Sequence, residues 1–340
     1  MSRHGASRVA ALGAAAGLVT CLVTGLATGA QAQSPKLWRH GIIEPKSDAG
    51  LVLMVAQKDF AERFGLKIDV VKFKNVGLAV KALLAGDLES IEAGAAEGIV
   101  AAAQGADLKI AGCTWPGQRH VVLARASVAS VEELKGKTIA ASAPGLVPDL
   151  LTRALLDKHG LTPSDVKIAS FAADPDRFRA LIAGGVDAAV VTPDYLPIAP
   201  KDIRLLAAGR DVIPKFMRLC IEMTGKTLQD RRGEAARFLA AEITAMRHAR
   251  CRKDEALKLT REATAAKPDD PRPEFVFDDA VRNLDYDPTL PIPIDKLAWM
   301  QEQLIKTGSI KQPVDFEKMV DRDVRAKALE VAGKEKGGCY

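Results

Sequence analysis

Ala82-Leu83-Leu84-Ala85-Gly86-Asp87-Leu88-Glu89 returns in the second half of the chain as Ala180-Leu181-Ile182-Ala183-Gly184-Gly185-Val186-Asp187. Each copy closes an apolar run at helical spacing with glycine, then enters a short strand-like run whose first turn carries an acid. That is the tight helix-to-strand connection of an αβ unit, and its double occurrence predicts two similar lobes. Outward from the first copy, Leu37 to Ile43 and Leu66 to Phe73 read as strands, and Val76, Val80, Leu83 and Leu84 as one face of a helix. Strand and helix go on alternating through Leu88 to Ala93, Ala95 to Gln104, Leu108 to Cys113, Lys137 to Ala141, Leu146 to His159, Val166 to Phe171, Arg177 to Ala183 and Ala188 to Thr192. Such a rhythm predicts an α/β fold of mostly parallel sheets flanked by helices.

Between the two echoing units lies Thr114-Trp115-Pro116-Gly117-Gln118-Arg119, a candidate crossover from one lobe to the other. After Ala208 the pattern changes. A strand-like Phe216 to Met223 precedes helical segments at Gly233 to His248 and Glu255 to Ala265, so additional C-terminal helices are expected. A single helix is expected from an Asp48 N-cap to a Gly65 stop.

The first residues stand apart. Arg3 and Arg8 precede an uncharged run from Val9 to Ala32 that ends in Ala30-Gln31-Ala32, the pattern of a secretory signal peptide cleaved after residue 32, with an uncleaved membrane anchor as the alternative because the run is long enough to span a bilayer. The roughly 300 residues beyond it exceed the size of one comfortable core, which again predicts two lobes. No stable membrane insertion is expected after cleavage, because no second apolar run approaches spanning length. The formal net charge of +5 comes from dispersed residues rather than a basic stripe, so nucleic acid is not an expected partner. Cys113, Cys220, Cys251 and Cys339 lie far apart with no metal-ligand or CxxC spacing, and no metal or other cofactor is expected. Apolar neighbours make Cys113 and Cys220 read as buried free thiols.

Val131-Glu132-Glu133-Leu134-Lys135-Gly136-Lys137-Thr138-Ile139-Ala140, followed by Ser142-Ala143-Pro144-Gly145, resembles an element of the periplasmic solute-binding proteins of ABC importers, type II fold. Asp174-Pro175-Asp176-Arg177 through Gly185-Val186-Asp187-Ala188-Ala189-Val190 is similar to another, in the nitrate, sulfonate, taurine and thiamine-precursor (SsuA/THI5/NMT1-like) branch. The resemblance implies a two-lobed fold with lobe 1 from residues 33–116 plus 212–340, lobe 2 from 117–211, and a hinge near 114–119 and 208–215. It also implies a periplasmic protein that captures a small molecule between its lobes and hands it to an ABC transporter permease.

In open α/β sheets ligands sit beyond the carboxyl ends of strands, where helix starts offer free N–H groups. Four turns qualify here and supply the candidate ligand-binding residues: Ser47 and Asp48; Ala95 and Glu97; Ser142 and Gly145; Thr192 and Asp194. Ser142 with Gly145 and Ser47 with Asp48 have a plainer reading as helix caps, favoured over a ligand contact for Asp48, and Thr192 with Asp194 as a rigid turn. Trp115 is the candidate aromatic wall, with packing under the hinge as its alternative. Ala143-Pro144 and Leu146-Val147 stand where oxyanion binders of this branch offer hydroxyls, and Glu97 and Asp194 add negative charge. A neutral or mixed apolar organic ligand is therefore expected over an inorganic oxyanion, with Arg119 and Arg210 available to a carboxylate or sulfonate. No catalytic residue is assigned, since His120 and His159 lack a nucleophile at motif spacing and no GxSxG, HExxH or Walker pattern occurs. An enzyme on the same scaffold, decarboxylase-like or pyrimidine-synthesising, and a periplasmic ligand sensor are the alternatives.

Overall fold

The expected alternation folds into two five-stranded sheets in a computed structural model that describes residues 35–333, so the candidate leader lies outside the described residues. The first sheet contains β1 (Lys36–Ile43), β2 (Leu66–Phe73), β3 (Ser90–Gly94), β4 (Leu108–Trp115) and β10 (Leu219–Thr224), in the order β2-β1-β3-β10-β4. The second contains β5 (Val121–Arg125), β6 (Thr138–Ala141), β7 (Lys167–Ser170), β8 (Ala188–Val191) and β9 (Ile203–Ala208), in the order β7-β6-β8-β5-β9. In each sheet only the fourth strand in spatial order, β10 or β5, runs against the other four. Those two are the first strands laid down after the chain crosses between sheets, at 116–120 and 209–218.

Helices cover both sheets. In chain order they are α1 (Ala49–Val52), α2 (Lys58–Glu62), α3 (Val76–Ala85), α4 (Ala95–Ala103), α5 (Val147–Lys158), α6 (Asp174–Ile182) and α7 (Gly209–Val212). The C-terminal third adds α8 (Gly225–Asp230), α9 (Arg232–Cys251), α10 (Lys253–Thr264), α11 (Arg272–Arg282), α12 (Ile294–Lys306), α13 (Phe316–Met319) and α14 (Arg322–Ala332).

The internal echo is a pair of matching caps. α3 ends at Gly86, left-handed at φ 83°, with Gly86 N donating to Leu83 O and Asp87 N to Ala82 O at 3.1 and 3.0 Å. α6 ends at Gly184, φ 76°, with Gly184 N on Leu181 O and Gly185 N on Ala180 O at 3.1 and 2.9 Å. Both satisfy the last helical carbonyls in the Schellman manner. The acids of the echo repeat too: Glu89 accepts the backbone N–H of Arg39 on β1 (2.6 Å), and Asp187 that of Thr138 on β6 (2.8 Å). In both lobes, then, the acid that starts a strand pins the backbone of the neighbouring central strand.

Two expectations need correction. The single helix from Asp48 to Gly65 is instead α1, a 3-10 turn at Met54–Ala56 and α2, because Gln57 is extended at ψ 135° and breaks the run. The interruption lets Leu51, Met54, Val55 and Phe60 all enter the core that α9 covers. Cys113 and Cys220 are not free thiols. They are register partners on β4 and β10 and form a disulfide, although 107 residues separate them. The bond ties together the strands at which the two crossovers leave and return.

A Cβ at residue 86 meets no atom within 4 Å, so its backbone angle alone sets the cost of replacing Gly86. Gly86→Ala should therefore destabilise the protein by about 1 kcal/mol, and Gly86→Asn by less, read as a shift of the urea midpoint at unchanged slope.

Candidate functional site

Between the sheets lies a cavity of about 1150 Å³. Strand ends build its floor: Ile43 to Lys46 and Asp48 after β1, Gly94 to Glu97 after β3, Gln118 to His120 after β4, Ser142 and Gly145 to Val147 after β6, Thr192 and Asp194 after β8, and Phe216 to Leu219 leading into β10. Its apolar sides come from Val76, Val80 and Leu84 of α3, Val100 of α4, and Met300 and Leu304 of α12.

The floor is organised by Asp48. Its Oδ2 accepts from Arg119 Nη1 at 3.0 Å and from Arg218 Nη2 at 3.2 Å, so one carboxylate holds residues from both crossovers. Both guanidinium carbons lie 4.8 Å from the ring centre of Trp115, a cation–π arrangement on one indole. Burial pushes the Asp48 carboxyl up, but Arg218 and Arg119 outweigh it and hold it at about 2. Burial, then repulsion from Arg218, lowers the affinity of Arg119 for its proton. Asp48 is thus an ion-pair centre, and its side chain makes no cap hydrogen bond to α1.

The other expected residues divide. Ala95, Glu97, Ser142, Gly145, Thr192 and Asp194 line the cavity with Asp48. Ser47 lines instead a neighbouring cavity of about 1090 Å³, formed with residues 264–272. Trp115 is fully buried one layer behind the wall, beneath the two arginines and against Tyr286 at 5.0 Å. Ser142 and Gly145 serve the turn that starts α5: Ser142 Oγ accepts from Asp149 N (3.2 Å), and Gly145 N donates to Asp149 Oδ2 (2.9 Å). Glu97, in the first turn of α4, lays its carboxylate against the N-cap residue Gly94, and burial raises its pKa. Thr192 Oγ1 lies 3.0 Å from Asp174 and 3.1 Å from Asp194. Asp174 also pairs with Arg177 and, at 3.5 Å, with Lys46 from the opposite sheet. Arg210 lies off the cavity wall, spent on Asp279 and Asp285 at 2.8 and 3.2 Å.

Three wall residues were missed in the sequence. Arg218 looked like one more charge before a strand. Glu92, nearly buried, accepts the Thr114 hydroxyl, and burial raises its carboxyl to about 7. Gln118 accepts from His120 N and faces His120 Nδ1 at 2.9 and 2.8 Å. Burial, then the nearby cations beginning with Arg218, lowers His120 to about 3, so this imidazole is neutral at physiological pH. Among the described residues, Gln118 Nε2, Arg119 Nε and Nη2, and Arg218 Nη1 are buried without a hydrogen-bond partner.

The model of the family described as "NMT1/THI5 like" matches residues 48–256, more than half of the chain. Comparison with curated proteins gives no match. Among solved structures, the periplasmic aliphatic sulphonate binding protein SsuA from Escherichia coli aligns at 20% identity and a TM-score of 0.69, covering 84% of this chain and 92% of that one. The alkanesulfonate-binding protein SsuA from Xanthomonas axonopodis pv. citri, bound to MOPS, aligns at 20% and 0.60, covering 87% and 98%. A DSZB mutant in complex with biphenyl-2-sulfinic acid aligns at 15% and 0.68, covering 87% and 99%. At such identities the likeness establishes the fold, the two-lobed periplasmic-binding-protein architecture.

Glu222, under α4, is wholly buried, and neither carboxylate oxygen has a partner among the described residues. Burial, then the charge of Glu97, raises it to about 8. A carboxyl raised on folding keeps a proton that the unfolded chain has lost, so stability falls as pH rises from about 4.5 through about 8. Glu222→Gln should leave stability near its wild-type value at pH 4.5 and raise it by about 2 kcal/mol or more at pH 8, measured by urea unfolding at the two pH values.

Proposed function

Because the chain belongs to the NMT1/THI5-like family, we propose that it is an extracytoplasmic solute-binding protein that captures a small organic molecule between its lobes and delivers it to the permease of an ABC importer. The observation that carries this reading is the cavity of about 1150 Å³, whose floor is drawn from both sheets and from both crossovers. A ligand seated there touches both halves at once, and contacts made only in the closed arrangement favour closure. Lobe 1 is 33–116 plus 212–340, lobe 2 is 117–211, and they turn about the crossovers near 114–119 and 208–215. The Lys46–Asp174 pair, which joins the two sides beside the cavity, belongs to the closed form.

Export to the periplasm is supported by Arg3 and Arg8 before the uncharged run, and by the Cys113–Cys220 disulfide, a bond that persists in oxidising compartments. Binding without turnover is supported by the wall itself. Its imidazole, His120, is engaged by Gln118, and the Ser142 hydroxyl is engaged by the turn of α5.

A thermal-melt screen against sulfonates, nitrate, aliphatic and aromatic acids and pyrimidines tests the proposal, after unfolding and refolding to strip any co-purified ligand. A ligand at about 100 times its Kd should add about 2.7 kcal/mol, a shift of a few degrees for a protein of this size. A selective hit recovered chemically unchanged supports the reading. A hit that is consumed during the measurement makes the chain an enzyme and overturns it.

A further inference from the structure

The helix starts that line the cavity are already served by the chain's own side chains: Asn75 caps α3, and α4, α5 and α6 carry Glu97, Asp149 and Asp174 in their first turns. The Glu97 carboxylate lies against Gly94, the N-cap residue of α4, and Asp149 of α5 takes the N–H of Gly145. A cluster of N–H groups at a helix start is a ready cradle for a compact oxyanion, but a carboxylate fixed in that cradle takes the donors and repels a second anion.

The donors left over lie elsewhere, and they have a different shape. Gln118 and Arg119, 1% and 5% exposed, stand on the cavity floor beside Arg218. His120 occupies the amide oxygen of Gln118 and so turns its amide nitrogen away, and that nitrogen has no partner among the described residues. Arg119 and Arg218 share a single oxygen of Asp48, which leaves Nε and Nη2 of the first and Nη1 of the second unpartnered. A buried donor without an acceptor costs about 1–3 kcal/mol, so a ligand that supplies acceptors here relieves several such penalties at once. Asp48 offsets one of the two guanidinium charges, and the remainder matches one anionic group. A planar guanidinium fork gives two parallel bonds to a carboxylate or to two oxygens of a tetrahedral anion, and the third oxygen of the latter is the one that the occupied helix starts leave without donors. Asp194 also acts on Arg119, as does Asp279, which is paired to Arg210. The rest of the lining carries the carboxylates Glu97, Asp174 and Asp194, which outweigh Lys81 of α3 because Lys46 and Arg177 are already paired with Asp174, so a second anionic group is disfavoured, and the sides are mostly apolar along α3, α4 and α12.

We propose that the cavity takes an amphipathic organic monocarboxylate, its headgroup held by Arg119, Arg218 and Gln118 and its hydrocarbon body lying between α3, α4 and α12. This rests on the solute-binding reading and supplies its ligand class. Glu97 and Asp149 act as selectivity residues that keep a tetrahedral oxyanion out of the helix starts.

Titration calorimetry of the refolded protein with four probes of one chain length tests it: octanoate, octane-1-sulfonate, octanedioate and octylamine. Octanoate should bind saturably, with the sulfonate and the diacid at least about tenfold weaker and the amine not bound. Arg119→Lys keeps a cation for Asp48, and with it the fold, but loses the fork, so octanoate should weaken by about tenfold or more. Leu304→Trp shortens the apolar channel and should move the preference from octanoate to butanoate. Octane-1-sulfonate binding as tightly as octanoate, or Arg119→Lys binding octanoate as the wild type does, overturns the headgroup assignment and leaves the solute-binding reading standing. The same holds if the melt screen yields an unaltered ligand of another class while octanoate fails to bind. Consumption of octanoate overturns the solute-binding reading itself.

Discussion

The Asp48 carboxylate and the two guanidiniums it holds over Trp115 set the arrangement on which the cavity depends. Arg119 belongs to the segment that leaves the first sheet and Arg218 to the segment that returns to it, so one acid fastens both crossovers to the turn after β1. A buried charge without its partner is costly, about 3–5 kcal/mol when one member of a pair is removed. The three side chains therefore constrain one another, with both guanidinium carbons 4.8 Å from the centre of the indole beneath. One layer away, the Cys113–Cys220 disulfide joins the strands that carry these segments, which makes the root of the crossovers a rigid block.

Around that block the two lobes repeat one construction. Each has four strands running one way and a fifth against them, and in each the antiparallel strand is the first formed after a crossover. A left-handed glycine closes the helix before the third strand in spatial order, and an acid a few residues on bonds to the second. The repetition brings equivalent strand ends face to face, which is why turns distant in sequence, around Lys46 and Asp48, Ala95 and Glu97, Ser142 and Gly145, and Thr192 and Asp194, contribute to one cavity.

The chemistry of the cavity departs from simple anion capture at helix ends. Carboxylates occupy those ends, and burial leaves several wall acids reluctant to ionise, Glu92 at about 7 among them. Gln118, Arg119 and Arg218 on the floor form a patch of planar, partly compensated, largely buried donors. Specificity in such a site comes as much from the groups that repel the wrong ligand as from those that attract the right one.

Local signals in the chain were enough for the fold and for much of the cavity's outline. Gly86 and Gly184 carried the caps, apolar periodicity carried the strands and helices, and the turns at strand ends placed Asp48, Glu97, Ser142 and Thr192 because an α/β sheet always directs such turns to one edge. The sequence by itself determined these things because each depends on residues a few positions apart. Which side chains pair across the floor depends on residues tens to hundreds of positions apart, and no periodicity records that. Asp48 read as a cap until Arg119 and Arg218 were found around it; Trp115 read as a wall until those arginines were found to cover it; Cys113 and Cys220 read as thiols until β10 was found beside β4. Arg210 and Arg218 were equivalent as sequence, and only the tertiary structure, by giving the first to Asp279 and Asp285 and the second to Asp48, decided which of them faces the cavity.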